Sequence, residues 1–179
     1  MIPELGHFAL VLALIVVVVA QTALPLAGSW RGHAGWVALA RPAAAVQFVL
    51  LAVAFGCLTW AFVADDFSVL LAAQNSSIAL PTYYKVTAVW GNHEGSVLLW
   101  VLMMAGWSVA VALFSRPLPD VMVARVLAVM GMVSAGFLLF TLLTSNPFER
   151  LLPAPPDGRD LNPLLQDPGM IYHPPLLYM

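Results

Sequence analysis

The chain's 179 residues are 61% apolar and only 9% charged, with a mean hydropathy of +0.90 and a formal net charge of −2. Soluble domains carry about 25% charged residues, so this composition is that of an integral membrane protein, and the lack of any basic run argues against nucleic-acid binding. Cys57 is the only cysteine, which rules out a disulfide framework or a thiolate metal cluster within the chain.

The N-terminal Met-Ile-Pro-Glu-Leu-Gly-His lacks the basic region of a cleavable signal peptide, so the apolar run that follows is expected to remain as a membrane anchor. Runs near the roughly 20 residues needed to cross a bilayer recur along the chain. A first span is predicted over about residues 5–27, including "FALVLALIVVVVA", and a second over about 42–64. Pro42 would take the first helical position of that second span, where a missing N–H costs nothing. A third is predicted over about 95–114 and a fourth over about 121–143. The expected fold is an all-α, polytopic helical membrane protein of four complete transmembrane helices and the start of a fifth, with long outer loops.

Basic residues set the expected orientation. Arg31, Arg41, Arg116 and Arg125 lie on the short connections, while Lys85, Arg150 and Arg159 lie on the long ones among seven carboxylates. The positive-inside rule then makes the short connections cytoplasmic and the N-terminus outward-facing. The two long segments, about 65–94 and 145–173, lie on the outer side. The second carries prolines at 147, 153, 155, 156, 163 and 168, interleaved with Leu151, Leu152, Leu161, Leu164 and Leu165. Proline at that density favours an extended path, and the leucines favour an ordered strap over a solvated linker.

Four histidines are candidates for chemistry. His7 reads as an interfacial residue and His33 as solvated surface. In "VWGNHEGSVLLW", Asn92 is a good N-cap for the third span and Glu94 suits its first turn. Helix capping and the wall of a site both remain open for Trp90, Gly91, Asn92, His93 and Glu94. His93-Glu94 is not HExxH, so zinc hydrolase chemistry has no support. In "YHPPLLYM", the residue before proline is pushed away from helical geometry. The fifth span is therefore predicted to begin at Pro174, with His173 at or before its N-cap. An ordinary interfacial histidine and an iron ligand both fit that place. So short a stretch of a fifth span suggests that 1–179 is the N-terminal portion of a larger membrane domain.

Taken together, "WGNHEGSVLLW", "VARVLAVMGMVSAGFLLF" and "TSNPFERLLPAPPDGRDLNPLLQDPGMIYHPPLLYM" closely resemble the CcmF family, the membrane haem lyases of bacterial system I cytochrome c maturation. The resemblance covers essentially the whole chain, and relatives of the NrfE type share much of it. It implies a haem-handling subunit of the bacterial cytoplasmic (inner) membrane. Such a protein accepts haem b from the holo-CcmE chaperone and promotes thioether attachment to the CxxCH cysteines of apocytochrome c. CcmH- and CcmI-type thioreduction and chaperone components are the implied partners, alongside membrane lipid.

The resemblance further implies that His173 is an axial ligand of haem iron, with no acid–base role assigned to any residue here. The Trp-rich segment, the second periplasmic histidine and the ligands of a separate membrane haem b would lie beyond Met179, so this stretch alone is not expected to be active. Trp90 to Glu94 could wall the haem or contact CcmE. The rival readings are a haem-exporting transporter and a non-catalytic respiratory subunit. The spans offer a transporter only Thr, Ser, Gln47 and Cys57 as polar groups.

Overall fold

A computed structural model describes residues 1–179. Its elements in order are α1 (Ile2–Ile15), a π-helical segment (Val16–Ala23), α2 (Leu24–Arg31), α3 (Ala34–Ala38), α4 (Ala40–Val63), α5 (Leu70–Asn75), α6 (Thr82–Ala88), α7 (His93–Phe114), α8 (Asp120–Leu143), a 3₁₀ turn (Pro163–Gln166) and α9 (Pro168–Leu177). An isolated antiparallel bridge between Val69 and Arg150 is the only strand-like pairing. The fold is all-α, with four stretches long and apolar enough to cross a membrane: Ile2–Arg31, Ala34–Val63, His93–Phe114 and Asp120–Leu143. Phe8, Trp60, Trp107 and Phe114 on these helices are exposed.

Proline shapes the first two spans. Pro25 cannot donate to the carbonyl four residues back, and its ring crowds that group. Immediately before it the helix takes π geometry, and the Leu24 N–H reaches the Val19 carbonyl. The hydrogen-bond register is thus shifted one residue ahead of the proline. The second helix begins at Ala40 rather than Pro42, because the Leu39 carbonyl already accepts from the Ala43 N–H at 3.0 Å. Pro42 is then the third helical residue, where its N–H would still have lacked a partner.

The chain divides into two compact units, one of Ala9–Ala52 and Val101–Phe140, the other of Met1–Phe8, Val53–Trp100 and Thr141–Met179. In the first, Val37, Ala40, Ala44, Ala112, Val123, Ala124 and Leu127 form a buried cluster, its alanines letting helix backbones approach. Gln21 is fully buried, a polar group of the first span additional to Gln47 and Cys57. Its Nε2 donates to the Leu127 carbonyl at 3.1 Å, and the Thr22 hydroxyl to that of Ala128 at 3.4 Å. Arg41 donates to the Ala112 and Ser115 carbonyls and pairs with Asp120 at 3.4 Å. A cation there meets the negative end of α7.

The second unit is built around the proline-rich strap. Its backbone is stitched to the segment after α4: Leu70 N–H to Glu149 carbonyl at 2.9 Å, Leu151 N–H to Ser68 carbonyl at 2.8 Å, Arg159 N–H to Ala73 carbonyl at 2.9 Å. Arg150 reaches Glu4 of α1, Asp66 and the Ser68 hydroxyl. Gly158 lies so close to the Ser76 carbonyl that a Cβ would overlap it, so glycine is required for the approach. Beneath this, Asp65 ends α4 in the left-handed region at φ 53°. It accepts two hydrogen bonds of 2.6 Å from Lys85, whose side chain is 7% exposed.

Replacing Lys85 by methionine keeps the stem and leaves Asp65 facing an apolar contact without its cation. Loss of one partner from a buried pair is strongly destabilising, and the variant should lose about 3 kcal/mol in reversible unfolding followed in detergent micelles. An unchanged unfolding midpoint would show that water replaces the ammonium.

Candidate functional site

The connection from α6 to α7 is fixed by one side chain. Asn92 Oδ1 accepts from the Gly95 N–H at 2.7 Å, and its Nδ2 donates to the Ala88 and Val89 carbonyls at 2.9 and 3.3 Å. It therefore caps the start of α7 and the end of α6 together. A Cβ at Gly95 would overlap the Val89 carbonyl oxygen, so this is the glycine that close approach demands. Gly91 has more room, with the Leu165 Cδ1 3.2 Å from where a Cβ would stand. His93 is the first residue of α7, exposed, with Nε2 3.0 Å from the Ser145 hydroxyl. Glu94 occupies the first turn of α7, where the helix dipole favours a carboxylate.

Helix α9 begins six residues earlier than the pre-proline rule predicts, at Pro168 instead of Pro174. The Asp167 carboxylate caps it, accepting from the Gly169 N–H at 2.8 Å and the Met170 N–H at 3.3 Å. Pro168 fills the first helical position at no cost. The "DPGM" pattern is a helix-start signal in its own right, and it competes with the signal from the prolines that follow. Pro174 and Pro175 lie inside the helix, and His173 is a helical, exposed residue and no cap. The bias against helical geometry before proline is a local preference, and tertiary contacts outweigh it here.

Those contacts come from the α6–α7 connection and the start of α7. The Trp90 indole N–H donates to the Ile171 carbonyl at 3.0 Å. Tyr178 stacks on Trp100, ring centroids 5.6 Å apart and planes 17° from parallel, and its hydroxyl bonds that of Ser96. The Tyr83 and Tyr172 hydroxyls are 3.2 Å apart. That bond is the main reason the Tyr83 phenol ionises above its ordinary range. Met170, Pro174 and Tyr178, spaced by four on one face of α9, line a cavity of about 450 Å³ together with Trp90, Gly91, Asn92, His93 and Trp100. Four of the five residues from 90 to 94 thus share one cavity; Glu94 is not among its lining residues. Nor is His173, which is exposed one position before the lining residue Pro174.

The family described as "Cytochrome C assembly protein" matches residues 90–179, a stretch that opens at Trp90 and takes in both sides of this cavity. The chain belongs to that family. It is 67% identical, over its full length, to the cytochrome c-type biogenesis protein CcmF of Pseudomonas aeruginosa, and spans 27% of that protein. It is 40% identical to the NrfE protein of Haemophilus influenzae, again over its full length and 28% of the relative. Similarity to a CcmF protein thus exceeds that to the NrfE type. A solved structure titled "Cytochrome c Heme Lyase CcmF" matches 99% of this chain and 28% of its own length with a TM-score of 0.85 at 26% identity. The chain therefore spans about a quarter of the length of the relatives it matches.

Truncating Asn92 to alanine removes a cap at two helix ends at once. The expected cost is about 1–2 kcal/mol, read as a lower thermal midpoint in detergent, whereas Asn92→Asp should keep the bond to Gly95 and lose only those to Ala88 and Val89.

Proposed function

We propose that this chain is the haem-handling N-terminal portion of a cytochrome c haem lyase. On this reading the protein accepts haem b from the periplasmic chaperone CcmE and promotes thioether attachment to the CxxCH cysteines of apocytochrome c. CcmH- and CcmI-type components deliver the reduced apoprotein, and the whole assembly sits in the bacterial inner membrane with the N-terminus periplasmic. The observation that carries the reading is His173: an exposed imidazole on α9, a helix tied to the α6–α7 connection beside an aromatic cavity.

The residues present fit one side of a haem. An exposed imidazole nitrogen is open to iron, and Trp90 and Trp100, the latter stacked on Tyr178, give the adjoining cavity an aromatic wall. His173 is the one axial ligand assigned to this chain, with Trp90, Gly91, Asn92 and His93 as cavity wall and Glu94 as a contact for CcmE. Haem supplies the vinyl groups that the cysteine thiols add across. The work of these side chains is to bind and orient, and fixing two reactants in reacting geometry is itself a large part of such a barrier.

In the full-length protein, His173→Ala should abolish capture of CcmE-derived haem and cytochrome c assembly while leaving any membrane haem b in place. Persistence of both functions sinks the ligand assignment. Reporter fusions after Ser29 and Pro117 should score cytoplasmic and one near Asn75 periplasmic; the reverse pattern puts His173 on the wrong side for haem attachment.

A further inference from the structure

In α9, the carbonyl of residue 171 would ordinarily accept from the N–H of residue 175, or in a tighter 3₁₀ turn from that of residue 174. Both positions are proline, so neither donor exists. Of the α9 carbonyls only Ile171's loses both, since the Met170 carbonyl still has the His173 N–H within 3₁₀ reach. Ile171 is 3% exposed, which leaves water little access. The group that fills the gap comes from outside the helix: the Trp90 indole N–H, 3.0 Å away.

We propose that Trp90 is a positioning residue for His173, its indole N–H standing in for the backbone donors that Pro174 and Pro175 removed. The proposal rests on the reading of His173 as a haem ligand and extends it. Indole is suited to the task because its nitrogen only donates and its rings stay apolar against the cavity. An unpaired carbonyl here would turn toward water, and that turn rotates the peptide two residues before the imidazole. The contacts of Tyr172 and Tyr178 run through flexible hydroxyls or ring faces. The bond from Trp90 acts directly on the backbone, at the turn that has no donor of its own.

A double-mutant cycle in the full-length protein isolates this bond from the bulk of the ring. Trp90→Phe keeps an aromatic wall and deletes the N–H; Pro175→Ala returns an N–H to the helix. Soret absorbance of CcmE-derived haem and the low-spin spectrum of its iron report occupancy and axial geometry, and a monodisperse size-exclusion peak reports folding. Trp90→Phe should lower occupancy about tenfold in the native background and shift the low-spin signal, yet under about twofold when Pro175→Ala is present. Equal losses in both backgrounds, or no loss in either, overturn the assignment. Should Trp90→Phe alone fail to fold, recovery of the peak in the double variant supports it and a shared failure overturns it. His173→Ala separates the two readings: haem retained in that variant overturns the ligand reading itself, whereas haem lost there with no rescue by Pro175→Ala overturns only the role of Trp90.

Discussion

A backbone group that proline deprives of its partner must find another where water cannot reach, and much of this structure answers that requirement. The bilayer interior offers no solvent to pair with a stray N–H or C=O. Three places in the chain meet the problem differently. Before Pro25 the helix widens into π geometry. At Pro42 the helix simply starts earlier, so that the missing donor falls among the first-turn groups that have no partner in any helix. At Pro174 and Pro175 neither remedy is used, and a tryptophan from a distant part of the sequence supplies the bond. Only the third solution ties two segments together, and it joins the contacts of Tyr172 and Tyr178 in holding α9 against the α6–α7 connection and the start of α7.

The strap depends on the same accounting at another scale. Its prolines favour an extended path, and beyond short local turns such as Pro163–Gln166 its backbone bonds the chain after α4 through Glu149, Leu151, Arg159 and Asp160. Arg150 adds charge to that stitching by reaching Glu4, Asp66 and Ser68 from one guanidinium, a use that its planar fork of donors favours. Lys85 and Asp65 join α6 to the end of α4. Each link is modest alone, yet together they carry a chain with few helices of its own from the end of α8 to the cap of α9 without slack.

The four spans were legible because long apolar runs leave little choice of structure, and Asn92 as a helix cap followed from its place before an apolar run. Other features were not. The pre-proline rule placed the start of α9 at Pro174, whereas the Asp167 cap and the Trp90 bond start it at Pro168 and absorb both prolines. Such a bond joins residues 81 positions apart, beyond any periodicity. The crowding at Gly95 was not legible either, because it comes from the turn of chain that brings the Val89 carbonyl against it. Nothing in the apolar run around Gln21 signals its role, since its buried amide bonds a carbonyl of a distant helix, that of Leu127.

The arrangement around His173 also bears on what kind of haem site this would be. On the proposed reading, a cargo that arrives from one protein and leaves bonded to another needs its ligand presented in a set direction. The helix that carries His173 is held by the Asp167 cap at its start, the Trp90 bond at Ile171 and the stacking of Tyr178 on Trp100 at its end. These contacts act on the backbone and the ends of α9 and not on the imidazole, so the direction of the ring follows from the helix.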